Sequence, residues 1–458
     1  MRSATWIALG GLVAIACACG TATTTSVDAV SVDIAPEVET NAIDISEDVA
    51  VAAPPRNYTA KFRALLANPA PADLQEGERI YYEDAFGTET LADWPPASWL
   101  VQLWQSDKAK WGEQFSKFGW LVDPGDDLPV GFKRGIKNPA LVHETCASCH
   151  VTKLDDGRYW SGMPATHLQW AQFRLAINDA WVNDGHPALV TPQGITKLQG
   201  ILQPGSGNAD SVADKHIVPA DFPLYVNLGK RHNLGYTGVA SDSRSQVWLS
   251  MYTFGAGDAL PFPPESITKP FDAYMAWMEP PKPLKVADNG AAHGQAVFVA
   301  AKCATCHHVE DIGKDGASDY AADPTETFPD FKHTSGTIRT DPLFFGLADS
   351  SEPGSGPGPG LAKLINFIID NALSVGSPTG YAVSDLHGIF ASAPYLHNGS
   401  VPTLNDMLKP AKDRPKTFVR DGFTVDTGKM GMSNIGHEFG TQLAPNDKSD
   451  LIAYLNSL

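Results

Sequence analysis

From Ala97 to Phe118, apolar residues recur at Leu100, Leu103, Trp104, Trp111, Phe115 and Phe118. That helical spacing predicts one helix packed on a core, with its tryptophans read as core residues. Trp170, Phe173, Ile177 and Trp181 repeat the pattern and predict another helix. A further helix, from about Ala291 to Ala301, carries Gly294 and Phe298 one turn apart and runs directly into Cys303. Near the end of the chain Leu451, Tyr454, Leu455 and Leu458 fall at i, i+3, i+4 and i+7, which marks an amphipathic helix. Glycine at 294 would let those two helices cross closely. Thr191–Asp258 is rich in Gly, Pro, Ser and Asn without a sustained period, and Ser351–Gly360 reads as a Gly/Pro/Ser loop. The predicted class is mainly α with long loops.

Met278-Glu-Pro-Pro-Lys-Pro-Leu284 cannot continue a helix, because successive prolines remove donors and clash with the preceding turn. It divides the folded part into a loop-rich first domain, 56–280, and a second, 285–458. A chain of 458 residues suits two domains and a tail. Residues 1–20 hold Arg2, the apolar run Trp6–Ala18 and then small residues, which predicts a signal peptide and an exported, periplasmic or envelope-associated protein. Cys17 and Cys19 each follow small residues where a lipoprotein signal would be cut, so a lipid anchor and a plainly cleaved signal both stay open. Residues 21–55 carry seven acidic side chains and no Lys or Arg, and read as a flexible acidic linker. No other run is long and apolar enough to predict a transmembrane span in the mature chain.

The formal net charge of -18 disfavours nucleic acid or anionic lipid as a partner and favours a neutral or basic redox protein. Beyond the first 20 residues the cysteines are Cys146, Cys149, Cys303 and Cys306, all within Cys146-Ala-Ser-Cys149-His150 and Cys303-Ala-Thr-Cys306-His307. In Cys-x-x-Cys-His two thiols add to the porphyrin vinyl groups, and the adjoining imidazole reaches the iron from the same side. Zinc would need two further soft ligands per site, and a dithiol redox pair needs no following histidine. Two covalent c-type haems are therefore expected, one per domain. A structural calcium ion is left open.

The sixth ligand decides what each haem can do, since a second His or Met closes the iron and an open position admits a small molecule. For the second haem the candidate is His437, with Met430 and Met432 on the same segment. For the first, Met163, His167 and an open iron all stand. The turn-rich Asp123–Pro139 implies that the first motif is entered from a loop.

Leu386-His-Gly-Ile-Phe-Ala-Ser-Ala-Pro-Tyr-Leu-His-Asn-Gly-Ser-Val-Pro-Thr-Leu404 resembles the signature of the bacterial dihaem cytochrome c peroxidase superfamily, above all its rubber-oxygenase-related branch. Leu128-Pro-Val-Gly-Phe132, Gly336-Thr-Ile-Arg-Thr-Asp-Pro342, Arg414-Pro-Lys-Thr-Phe418 and Gly436-His-Glu-Phe-Gly-Thr441 agree with it. The resemblance implies two cytochrome c-like haem domains. The first haem would be catalytic, acting on peroxide, dioxygen or a small organic substrate, and the second would relay electrons from a redox protein. It implies His437 as the ligand closing the second haem. At the first, His167 sits near the displaceable histidine of peroxidases, whereas rubber oxygenases leave that face open. Trp248 and Arg231–Tyr236 are candidate pocket residues, with Trp248 and His167 the catalytic candidates. Phe390 and His387 depart from the family pattern, and His397 is expected to hold its loop by hydrogen bonds. Glu144 and His143 are candidate bases beside the first motif.

Overall fold

The computed structural model describes residues 72–84, 94–202, 204–209, 219–228, 236, 264–283, 290–307, 309, 383–429 and 431–458. Contacts divide the chain into Met1–Arg56 and Asn57–Leu458, and every described residue belongs to the second unit. The signal peptide, the acidic linker, Trp248, Met430 and the loop Ser351–Gly360 lie outside the described residues.

The helices of the first half are α1 (Ala72–Glu83), α2 (Ala97–Ser106), α3 (Lys108–Trp111), α4 (Cys146–Cys149), α5 (Trp170–Asn183), α6 (Pro192–Ile201) and α7 (Glu265–Trp277). Those of the second are α8 (Ala291–Ala300), α9 (Leu404–Met407) and α10 (Pro445–Leu455). Four short antiparallel pairs accompany them: β1 (Phe132–Arg134) with β2 (Val142–Glu144), β3 (Val151–Lys153) with β4 (Tyr159–Ser161), β5 (Asn208–Ala209) with β6 (Ala220–Asp221), and β7 (Thr417–Arg420) with β8 (Phe423–Asp426). The described residues mix helices with small strands, and no described helix is long and apolar enough to cross a membrane.

One helix crossing occurs twice. In the second half, a Cβ on Gly294 of α8 would lie 1.9 Å from the carbonyl oxygen of Asp450 and 2.8 Å from the Cβ of Tyr454 on α10. Only glycine permits that approach. One turn further along α8, Phe298 meets Tyr454 edge-on at 5.4 Å and 62°, a favourable aromatic geometry. In the first half, a Cβ on Gly77 of α1 would lie 2.1 Å from the carbonyl oxygen of Pro270 and 2.6 Å from the Cβ of Tyr274 on α7. Again one turn on, Tyr81 meets Tyr274 at 5.3 Å and 62°. The α8–α10 crossing is the one the glycine and the terminal stripe predict. Its counterpart is hidden in the sequence because residues 84–145 separate α1 from the motif it serves.

Those intervening residues build a second core. Leu100, Trp104, Trp111, Phe115 and Phe118 are buried with Phe132 and Phe173, as their spacing implies, but the single helix expected over Ala97–Phe118 is broken into three pieces. Asp107 accepts a bond from the backbone N–H of Lys110 and starts α3. Gly112 (φ 74°), Gln114 (φ 45°) and Phe115 (φ 62°) then turn the chain through left-handed backbone into the 3-10 turn Glu113–Phe118. The bend lets Gln114 exchange hydrogen bonds with the backbone of Asp123, at 2.6 and 2.9 Å. Lys133 lies fully buried 2.6 Å from Asp123. The first motif is consequently entered from the hairpin β1–β2 and not from a loop. Strands of three residues are too short to show a period of two.

The proline-rich junction is anchored to the first half. The backbone N–H of Asn227 donates to Met278 O at 3.0 Å. The Trp160 indole donates to Glu279 O, and Arg158 to Lys282 O, each at 2.7 Å. Beyond it the halves meet along a polar seam. Arg420, next to the tip of the β7–β8 hairpin, donates to buried Asp221 at 3.0 Å and to Thr166 O at 3.2 Å. The Asn227 amide donates to Asp385 at 2.8 Å.

Gly294→Ala is expected to lower stability by about 1–3 kcal/mol, the usual cost of overpacking a tight contact. Chemical denaturation checks it, and unchanged stability would show that α8 and α10 can separate freely.

Candidate haem sites

Cys146 and Cys149 occupy the ends of α4, and His150 follows as its C-terminal cap, with its N–H bonded to Cys146 O. The two thiols are one helical turn apart and share a face. Both are unpaired. Burial pushes the Cys146 thiol up to about 12 and Cys149 further still, Cys149 also feeling the nearby Glu144 carboxylate. In the second motif Cys303 and Cys306 flank a 3-10 turn that Lys302 enters in left-handed backbone (φ 63°).

Both motif histidines are aimed by the same device. His150 is buried, and its Nδ1 lies 3.1 Å from the carbonyl oxygen of Pro223, 73 residues downstream. The Nδ1 of His307 lies 3.1 Å from the carbonyl oxygen of Ser384, 77 residues downstream. A carbonyl can only accept, so Nδ1 carries the proton in each ring and Nε2 carries the lone pair, the ligand form of imidazole. Burial holds the pKa of His150 down to about 3, so the ring stays neutral.

The two rings differ in what they face. The ring of His150 stacks on Tyr225 at 3.7 Å and 13°, with Phe222 edge-on at 6.4 Å. The ring of His307 has that of His437 at 6.3 Å. Two imidazole nitrogens, each about 2.0–2.1 Å from one first-row metal ion, lie roughly 4 Å apart, which with the ring radii puts the centroids roughly 6 Å apart. The His307–His437 spacing therefore fits an iron between them. Nδ1 of His437 is buried without a hydrogen-bond partner, a costly state that a role at a metal would explain. Burial, then the neighbouring His307 and Arg414, hold its pKa down to about 4, so it too is neutral.

Arg414 sets the path of the chain at His437. It is buried, and its guanidinium donates to the carbonyl oxygens of Asp406, Met407, Lys409, Asn434, Gly436 and His437, at 2.6 to 3.3 Å. Those bonds support His437 in left-handed backbone (φ 50°) after Gly436 (φ 94°), a conformation that costs energy for a residue with a side chain. Burial pulls the pKa of Arg414 down, despite Glu438 and Asp406 nearby. Met432 is fully buried on the same segment.

Other candidates fall elsewhere. Met163 is fully buried, and its terminal methyl lies near Gly388 on the opposite half. His167 is 62% exposed and bonds through Nδ1 to Asp421 at 3.0 and 3.2 Å, so its described contacts run to the hairpin tip and not to His150. His143 is buried with Nε2 on Glu83 O at 3.0 Å, a structural role. Glu144 accepts from the Trp170 indole at 2.6 Å, which ties it down beside Cys149. His397 is buried, and its carbonyl accepts from the Asp221 N–H at 2.8 Å. Its ring lies 6.2 Å from that of Tyr236, which is the one described residue of the Arg231–Tyr236 stretch. His387 bonds Asp385 at 2.7 Å. Among the described residues no group of three or more His, Cys, Asp or Glu side chains is placed to hold a metal ion, calcium included.

Sequence reasoning missed Pro223, Ser384, Tyr225 and the tip residues Arg420 and Asp421. The tip alone left a signal: Asp421-Gly422, with both residues at positive φ (47° and 86°), is a two-residue hairpin turn.

Residues 380–419 match the profile of a family described as RoxA-like, cytochrome c-like. The chain thus contains a cytochrome c-like domain, and such a domain holds a c-type haem with its iron. It is 41% identical to the uncharacterized protein y4iJ of Sinorhizobium fredii (strain NBRC 101917 / NGR234) over 18% of each chain. To y4iM of the same strain it is 52% identical over 11% of this chain and 12% of that one. The chain spans less than a fifth of the length of the curated relatives it matches. A structure of Kuenenia stuttgartiensis hydrazine synthase, pressurized with 20 bar xenon, aligns over 59% of this chain and 89% of its own at 15% identity. Its TM-score of 0.27 is too low to carry an argument.

Two outcomes follow from this geometry. Bonding to Asp421 raises the pKa of His167, and bonding to His167 lowers that of Asp421. Their mutual stabilisation is therefore complete between the ordinary carboxylate value of about 3.9 and the ordinary histidine value of about 6.5, and is lost as pH rises through the raised histidine value or falls through the lowered Asp421 value. NMR titration of His167 should show a midpoint above the ordinary value that falls back in Asp421→Asn; an equal midpoint in both proteins contradicts the pairing. Arg414→Met should destabilise the protein by about 3–5 kcal/mol, because each buried carbonyl left without a donor costs about 1–3 kcal/mol and some of the six will find water. A loss below about 1 kcal/mol in denaturation would mean that the six carbonyls find other donors.

Proposed function

We propose that this chain is an exported dihaem c-type cytochrome acting as an oxidoreductase, with a reactive first haem on Cys146, Cys149 and His150 and an electron-relaying second haem on Cys303, Cys306 and His307. The observation that carries the reading is an inequality between two otherwise matching sites. Each motif histidine gives its Nδ1–H to a backbone carbonyl, yet among the described residues only His307 has a second imidazole facing it at the spacing an iron would impose.

The repeated helix crossing supports one cytochrome c-like module in each half. In the second, His307 and His437 would hold the iron from both sides, closing it to substrates. In the first, His150 would hold the iron on one side, with Tyr225 and Phe222 around its ring and no second imidazole within its described ring contacts. Haem iron with an open position supplies the redox chemistry needed to reduce peroxide or activate dioxygen. The acid-rich surface implied by the net charge would favour a basic electron-donor protein. Residues 1–20 support export, with Cys17 or Cys19 available for a lipid anchor.

Purified protein should show two haems per chain in the pyridine haemochrome assay. It should bind carbon monoxide at one of them after reduction. His437→Ala should turn one low-spin haem high-spin and leave the other unchanged. Two low-spin haems that never bind carbon monoxide would establish an electron carrier in place of an enzyme. Turnover with hydrogen peroxide, compared with an unsaturated hydrocarbon under oxygen, then separates peroxidase from oxygenase.

A further inference from the structure

The axial-histidine supports lie on either side of the seam, and one seam bond joins them. From the first site the ring of His150 stacks on Tyr225 at 3.7 Å, with the planes 13° apart. Two residues along the chain, the side-chain amide of Asn227 crosses the seam and donates to the carboxylate of Asp385 at 2.8 Å. Asp385 is covalently next to Ser384, whose carbonyl accepts the Nδ1–H of His307 at 3.1 Å. We propose that this chain of contacts, His150–Tyr225–Asn227–Asp385–Ser384–His307, is the route by which an electron passes between the two haems. The proposal rests on the dihaem reading above. The route carries one electron from the iron held by His307, which goes from ferrous to ferric, to the iron held by His150, which goes from ferric to ferrous. No proton is exchanged and no bond is made or broken.

Three features suit the route to this role. Electronic coupling falls more slowly through covalent and hydrogen bonds than across a van der Waals gap, and the route has one such gap, the stacked pair, beside which the His150 Nδ1–H bond to Pro223 O joins the ring to the same main chain. Every group at the crossing is buried: Asn227 is 1% and Asp385 3% exposed, so little solvent has to reorganise when charge moves. The crossing is also held rigidly. Asn227 sits in left-handed backbone (φ 57°), pinned by its N–H on Met278 O. Asp385 also accepts from the backbone N–H of His387 at 3.0 Å and from its ring at 2.7 Å. The other seam bonds do not reach the carbonyl that supports His307. The bonds of Asp221 to Arg420 and to the His397 carbonyl run to the hairpin tip and to the His397 loop, and the Met163 methyl lies near Gly388.

The test is inter-haem electron transfer in the full dihaem protein, followed optically after pulse-radiolytic reduction, with both reduction potentials and the haem count measured for each variant. Asn227→Leu breaks the crossing and Tyr225→Leu removes the stacked ring while leaving the crossing intact. Each should slow transfer at least tenfold at unchanged potentials. Tyr225→Phe, which keeps the ring, should recover the rate. A native rate in either leucine variant, with two haems and unshifted potentials, overturns the route while leaving the dihaem reading intact. A single haem per chain in the unmodified protein overturns both.

Discussion

A neutral imidazole becomes a directed ligand only when its other nitrogen is fixed. Here a backbone carbonyl fixes each one. The carbonyls, those of Pro223 and Ser384, lie in segments that belong to no helix or strand. Such segments hold their course only through tertiary contacts. Around Pro223 the first half supplies Gly207 O and Gly162 O to the N–H groups of Phe222 and Tyr225, and the seam adds to this: Asp221, two residues before Pro223, is bound by Arg420 and by the carbonyl of His397, and Asp385, next to Ser384, is bound by Asn227. The aim of both imidazoles is therefore coupled to the contact between the halves. A loose interdomain contact would blur the geometry of both sites at once.

That dependence explains what could be read from the chain beforehand. Local chemistry was legible. The two Cys-x-x-Cys-His motifs announce themselves because three functional groups must lie within one turn, and the α8–α10 crossing shows because its glycine, its aromatic residue and the motif follow one another closely. The corresponding elements of the first half are the same in kind, Gly77, Tyr81 and Tyr274, but an inserted stretch carrying its own aromatic core separates them from Cys146. The stripe from Ala97 to Phe118 was correctly apolar and wrongly continuous. Its periodicity reports which residues are buried, whereas Gly112 and the backbone-seeking Gln114 decide where the helix stops. Non-local carbonyls such as Pro223 O and Ser384 O leave no trace in a pattern of side chains, because any residue supplies the same acceptor.

His437 occupies an intermediate position. Its flanking glycine marks a turn, and only the fold shows that the turn is left-handed at the histidine itself and held by Arg414. A buried arginine usually meets a carboxylate, because an uncompensated charge is costly in a dry interior. Arg414 instead spends its donors on six carbonyls. The partial negative charges of those oxygens solvate the cation in place of water, and the loop they belong to is ordered as a consequence. His167, by contrast, looked promising because of its distance from the first motif. That distance is equally compatible with a side chain turned outward, and the hairpin tip, from a part of the chain some 250 residues away, has claimed it.

The residual positive charge near His437 bears on how the two sites would divide their work. In the proposed relay, the second iron has to keep its electron until the first has met an oxidant. Positive charge close to an iron favours its ferrous form, since reduction lowers the net charge the site must accommodate. Arg414 makes its hydrogen bonds to carbonyl oxygens, with the carboxylates of Glu438 and Asp406 nearby but outside those bonds. On the proposed reading, the same buried side chain that shapes the His437 loop would also bias the site toward holding an electron. At the first site the ring neighbours of His150 are Tyr225 and Phe222, which are uncharged, and the charge beside Cys149 is the Glu144 carboxylate, of the opposite sign. On the proposed dihaem reading, two modules with the same crossing and the same aiming bond would in this way differ in function through what surrounds the histidine of each motif.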